Sequence, residues 1–179
     1  MKKIVFFDGD GTLWYPKKTK RTVKPFWVYL DKETRDNFLE HLILVPEAIE
    51  TLSRLKVLGI KLVILSTHPD KMESANASLK NKVLHFKLQN LFDKYFATAE
   101  YPEAKAEKIL EMLGELGMEK QDALMVGDSY RWDIEPVVNI GVDAALFDSQ
   151  YHQEHIHKEP AKLKISEISE VIGLVRLLK

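Results

Sequence analysis

The sequence predicts an α/β fold, a parallel sheet with helices on both faces. Three observations predict it. Short apolar runs recur at 3–7, 61–65, 95–98, 123–126 and 142–147, amphipathic helical patterns lie between them, and two of the runs pour directly into loops that begin Asp-Gly or Gly-Asp. Ligands of such sheets sit in the crevice beyond the carboxyl ends of the strands, so the residues that follow each run are where chemistry is sought.

The first run, Ile4-Val5-Phe6-Phe7, enters Asp8-Gly9-Asp10-Gly11-Thr12. Alternate positions of an extended segment point the same way, so Asp8 and Asp10 can address one ligand, with Gly9 and Gly11 allowing the tight backbone. Two carboxylates about 4 Å apart repel by roughly 4 kcal/mol at an effective dielectric of about 20, so the pair calls for a cation, a shared proton or a compensating ligand. The next segment, about 13–45, gathers Trp14, Tyr15, Phe26, Trp27 and Tyr29 around Lys17, Lys18, Lys20, Arg21 and Lys24, ahead of a short helix near 34–44. Two readings of it stand open: aromatics and cations that grip an anionic or aromatic substrate, or a small packed flap with a solvated basic loop.

Pro46 in a first turn, Ala48, Leu52 and Leu55 on one face and Gly59 past the end mark the first long helix. The second strand, 61–65, is followed by Ser66-Thr67-His68-Pro69. Ser66 at a strand end can donate to an oxyanion or serve as a turn hydroxyl; His68 can line a pocket or form a His-Pro turn. Ile109, Leu113 and Leu116 before Gly117 mark a further helix, with Lys105 in its first turn. A lysine there opposes the helix dipole, which invites a reason beyond solvation. The fourth strand runs into Gly127-Asp128-Ser129-Tyr130-Arg131-Trp132-Asp133, a strand followed by Gly-Asp, four residues and Asp. Arg131 within it can meet substrate or form a surface ion pair. Ile165, Ile168, Ile172 and Val175 have the spacing of a closing helix. His152, His155 and His157 match no standard metal-ligand spacing.

Composition narrows the function class. At 179 residues the chain fits one compact domain, 1–179. A formal charge of -1 argues against a surface built to coat nucleic acid, and zero cysteines exclude disulfide and thiolate chemistry. No apolar run approaches a membrane span and no signal-peptide pattern precedes the first strand, so a cytoplasmic location without membrane partners is expected.

Asp-Gly-Asp-Gly-Thr at 8–12, Ser66, Lys105 and Gly-Asp-x4-Asp at 127–133, in this order, resemble the haloacid dehalogenase superfamily of phosphohydrolases over essentially the whole chain. The resemblance implies a Rossmann-like fold with a small cap inserted after the first strand, at about 13–45. It further implies Asp8 as nucleophile, Asp10 as general acid/base, and Ser66, Thr67 and Lys105 around the phosphoryl group. Mg2+ would be held by Asp8, the Asp10 backbone carbonyl and Asp128, with Thr12 and Asp133 in support. Trp14, His68 and Arg131 are candidate substrate contacts.

Elementary chemistry agrees with those roles. A carboxylate attacks a dianionic phosphate ester only when the negative charge is screened, as Mg2+ and a lysine ammonium would do. Mg2+ favours octahedral oxygen ligation with several waters retained. Asp10 would protonate the departing alkoxide and later activate water. Halide displacement needs no such proton, so Asp10 favours phosphoryl transfer to water from a phosphorylated small molecule or macromolecule. A receiver-like phospho-accepting domain shares the aspartate, Mg2+, hydroxyl and lysine, but has no call for Asp10 or the Gly-Asp-x4-Asp loop. Phosphomutase and phosphonatase reactions remain alternatives within the same superfamily; a small cap disfavours the former and no lysine is singled out as a Schiff base for the latter.

Overall fold

The computed structural model describes residues 1–68, 72–149 and 161–178. His152, His155 and His157 lie outside them.

The main sheet has six parallel strands: β1 (Ile4–Phe7), β4 (Lys61–Thr67), β5 (Lys94–Thr98), β6 (Ala123–Gly127), β7 (Asp143–Phe147) and β8 (Leu163–Ile165). Their order is β5-β4-β1-β6-β7-β8. β1 is therefore central, with Phe7 level with Ile64 of β4 on one side and Val126 of β6 on the other. The chain builds outward from β1 in one direction and then returns to build in the other. The loops after β1, β4 and β6 consequently leave the sheet side by side at the point where the strand order reverses, which is where such folds open a crevice.

The all-apolar strands feed two cores because successive side chains face opposite ways. Val5, Phe7, Leu62, Ile64, Leu124 and Val126 pack with Leu52 and Leu55 of α1 (Ala48–Val57), Leu79 and Val83 of α2 (Met72–His85) and Val171 and Val175 of α5 (Val171–Leu177). Ile4, Phe6, Val63, Leu65, Ala123 and Met125 pack on the opposite face with Ile109, Met112 and Leu113 of α3 (Ala104–Leu116) and Val137 of α4 (Glu135–Asn139).

Residues 13–45 form a flap whose ends pair as a two-stranded antiparallel sheet, β2 (Trp14–Pro16) with β3 (Leu42–Leu44). Two 3-10 segments, Pro25–Tyr29 and Arg35–His41, lie between them. The short helix expected over 34–44 is thus a 3-10 segment followed by a strand. Leu13, Trp14, Tyr15, Val28, Leu42 and Val45 join the α1 and α2 core. Most of the flap's aromatics are therefore structural, and Phe26 is the one exposed ring of its six Phe, Tyr and Trp residues.

Other boundaries also move. β4 runs two residues beyond the expected strand, because Ser66 and Thr67 pair with Ala97 and Thr98 of β5. Ile165 belongs to β8, paired with Phe147 of β7, and the closing helix starts only at Val171, after a 3-10 turn at Ile168–Glu170. Pro46 lies just outside α1, whose N-cap, Glu47, is left-handed at φ 60°.

Candidate active site

Asp8 sits one residue beyond β1, and its backbone N–H donates to Val126 of β6. Gly9 follows because space demands it: a Cβ there would lie 2.6 Å from Trp14 Cζ2 and 3.1 Å from Ser66 Oγ. Gly11 turns the loop at φ 88°, a conformation glycine adopts without strain. Asp128 follows β6 directly, and a one-turn π-helix at Tyr130–Ile134 swings Asp133 back over the strand end. Asp133 accepts the Ser129 backbone N–H at 2.9 Å. Lys105 comes from the first turn of α3, 2 % exposed, and its ammonium donates to both Asp8 and Asp133. The helix-dipole oddity seen in the sequence thus has a local cause: two buried carboxylates face this lysine.

Ligand oxygens of Asp8, Asp128 and Asp133 all lie within 4.8 Å of one another, and all three residues are buried. Burial, reinforced by the charge of Asp133 and Asp10, pushes the Asp8 carboxyl up to about 7 against the opposing pull of Lys105. Burial, then Asp8 and Asp133, raises Asp128 well above the usual carboxylate range. Burial alone would lower Lys105, but Asp133 and Asp8 outweigh it and raise its pKa. One ammonium among three buried carboxylates leaves an excess of negative charge. A hard, oxygen-only donor set with that excess fits a small divalent cation, so this cluster could hold a metal.

These groups open on a cavity of about 220 Å3, lined by Asp8, Asp10, Ser66, Thr67, Lys105, Asp128 and Asp133 together with Lys24, Pro25, Phe26, Glu100, Ser129 and Trp132. A larger cavity of about 500 Å3 between the flap loop and the end of β7 contains none of the converging carboxylates, so size alone does not locate the chemistry.

The side chain of Asp10 is set apart from the acidic cluster. Its Oδ1 accepts Trp14 Nε1–H at 3.0 Å and the Tyr29 hydroxyl, and its Oδ2 accepts Lys82 Nζ–H at 2.9 Å. Thr12 is fully buried, with Oγ1 lacking a hydrogen-bond partner among the described residues.

Three expected substrate contacts are not among the cavity's walls. Trp14 is fully buried, stacked on Phe86 with ring centroids 5.7 Å apart. His68 is half-buried, its backbone N–H donating to Thr98 O. Arg131 is exposed, its guanidinium 5.4 Å from the Trp132 ring. Trp132, Phe26 and Lys24 stand at the cavity instead. Sequence reading also passed over Lys82, although a signal existed: Ala75, Leu79 and Lys82 share the buried stripe of α2, and a cation on an apolar stripe needs a buried partner.

The family pattern described as Haloacid dehalogenase-like hydrolase matches residues 8–147, from the first motif to the end of β7. The chain belongs to this family. Solved structures show the same fold for this haloacid dehalogenase-like hydrolase. A protein from Listeria monocytogenes serotype 4b, described as uncharacterized, superposes with a TM-score of 0.71 at 22% identity, covering 98% of each chain. A HAD phosphatase from Thermococcus onnurineus gives 0.67 at 20% identity over 98% of each chain. A haloacid dehalogenase-like family hydrolase from Xanthomonas campestris gives 0.67 at 16% identity, covering 99% of this chain and 96% of that one. No curated protein sequence matches. Phosphatases are thus among the structural neighbours of this hydrolase, and no helix of the described residues is long and apolar enough to cross a membrane.

Proposed function

We propose that this chain is a Mg2+-dependent phosphatase that hydrolyses phosphate monoesters through an aspartyl-phosphate on Asp8. The observation that carries the reading is the convergence of buried Asp8, Asp128, Asp133 and Lys105 on one cavity with Ser66 and Thr67. Residues 1–179 form one unit in this reading, with 13–45 as its small cap.

Asp8 Oδ attacks phosphorus as the bond to the ester oxygen breaks, and Asp10 gives that oxygen its proton. Asp10 then takes a proton from water, which attacks the phosphorus of the acyl phosphate and returns Asp8 with release of inorganic phosphate. Lys105 and the hydroxyls of Ser66 and Thr67 hold the non-bridging oxygens. Asp133 anchors Lys105 through its ion pair, and Thr12 braces the loop that carries both catalytic aspartates. Mg2+, held by Asp8, the Asp10 carbonyl and Asp128, would supply charge neutralisation for the attack of one anion on another. A phosphorylated small molecule or macromolecule is the substrate, met at the mouth by Lys24, Phe26 and Trp132. The receiver-like alternative is disfavoured by Asp10, which is built into the cavity wall where a long-lived phospho-aspartate would be hydrolysed.

Asp8→Asn keeps the volume and removes the nucleophile. It should fold as the parent does and lose at least about 10³-fold in kcat on p-nitrophenyl phosphate with Mg2+, the scale of rate that covalent and acid–base groups supply. Turnover near that of the parent would sink the covalent mechanism. In the parent, acid quenching should trap a phosphoenzyme that decays within one turnover; an adduct lasting many minutes would favour the switch.

A further inference from the structure

We propose that Lys82 is a positioning residue for Asp10, one that leaves a single carboxylate lone pair, on Oδ2, facing the substrate. The inference rests on the phosphatase reading above and deepens it. A carboxylate oxygen offers two in-plane acceptor sites. Oδ1 of Asp10 fills both, with the Trp14 indole and the Tyr29 hydroxyl. Among the described residues, Oδ2 fills one, with Lys82. The remaining site belongs to a side chain that is 20% exposed and lines the cavity, so it is the position from which a proton reaches a leaving oxygen.

Among the described residues, the surroundings of Lys82 give it no other purpose. Its side chain is 1% exposed, and Asp10 is its ion-pair partner. The ammonium lies 4.4 Å from the ring centroid of Tyr29 and 5.8 Å from those of Trp14 and Phe38, so aromatic faces enclose it. Enclosing an ammonium this way carries a desolvation cost, which the ion pair and the ring faces must offset. Leucine or methionine would fill the same stripe of α2 without that cost. Lys82 therefore joins three parts of the chain around one carboxylate: α2, the 3-10 segments of the flap and the start of β2.

A double-mutant cycle with a leaving-group series tests the assignment. kcat/KM reports steps up to transfer onto Asp8, so hydrolysis of the intermediate does not mask the result. Lys82→Met should lower kcat/KM for an alkyl phosphate about tenfold more than for p-nitrophenyl phosphate, part of the 10²–10⁴-fold that general acid catalysis supplies. Tyr29→Phe, which removes one donor and keeps the ring, should bias the two esters in the same direction and carries the test if Lys82→Met does not fold. In an Asp10→Asn background, Lys82→Met should cause less than about a twofold further change on either ester. Equal loss on both esters, or an undiminished loss in the Asp10→Asn background, would overturn the positioning role. A parent protein that hydrolyses neither ester with Mg2+ would overturn the phosphatase reading itself, whereas parent turnover with parallel losses strikes Lys82 alone.

Discussion

A Cβ built on Gly127 would lie 2.3 Å from Asp133 Cγ and 2.4 Å from its Oδ2. Asp133 is packed against that backbone while it holds Lys105, so Gly127→Ala must displace the carboxylate that fixes the lysine. Urea unfolding should show a loss of about 1–3 kcal/mol, the usual range for overpacking, with turnover falling alongside. An unchanged midpoint and unchanged turnover would contradict this close approach. Asp8 adds a pH signature. Its folded pKa of about 7 stands above the ordinary aspartate value of 3.8, so across that interval the native state holds more protons than the unfolded chain. Stability from this group is therefore full at acid pH, declines as pH rises toward 7 and stays lost above it, and Asp128 acts in the same direction. Melting temperatures measured without divalent cation should fall from pH 5 to pH 8, and Asp8→Asn should flatten the fall. A parent profile that rises across this range, or one that Asp8→Asn leaves unaltered, would contradict the charge balance described for the cluster. The aspartates themselves were legible because their spacing is local. Lys82, and the tie of Tyr29 to Asp10, were not, since this common partner is reached only through tertiary packing.

Among the elements, β1, β4 and β6 were readable because strands buried on both faces are apolar throughout. β8 was not, because Ile165 also fits the three-and-four spacing of Ile168, Ile172 and Val175, and only its pairing with Phe147 breaks the tie. The flap hairpin was hidden for another reason: Trp14–Pro16 is three residues long and its partner lies beyond two 3-10 segments. The basic loop of the flap also divides once its contacts are known. Lys17 Nζ donates to Glu40 O at 2.6 Å, and Arg21 donates to the carbonyls of Asp148 and Ser166 with its guanidinium 3.5 Å from the centre of the Phe147 ring. Arg21 thus straps the flap to the end of β7 and the segment after β8. Arg21→Ala should speed amide hydrogen exchange over 17–24 at least about tenfold, equivalent to roughly 1.4 kcal/mol of local opening, while α1 and β6 keep their protection. Unaltered exchange in that loop would mean the strap carries no load. Neutralising exposed Lys18 and Lys20 together, by contrast, tests substrate steering with the strap intact. KM for an anionic substrate should rise and lose salt dependence at low ionic strength, and a KM unchanged there would leave the two lysines as solvated surface.

For the whole molecule, the acidic cluster draws on segments after β1 and β6, with Lys105 supplied by α3, so a cation bound there would join distant parts of the chain. Mg2+ should raise the melting temperature, and by more at pH 8 than at pH 5, because the competing proton has left Asp8 at the higher pH. Chelator should reverse the gain; equal stabilisation at both pH values would place the ion elsewhere. The central position of β1 also has a bearing on how the protein is made. Ile4 pairs with Lys61 and with Ala123, so β1 leaves the ribosome long before its second neighbour exists. At about 5–20 residues per second of synthesis, that wait lasts on the order of ten seconds. During it one edge of β1 stays open to wrong partners, and Asp8 and Asp10 are translated long before Asp128 can join them. A nascent chain halted before β6 should therefore be chaperone-bound or aggregated, and the site should come into being in one late step as β6 slots in beside β1.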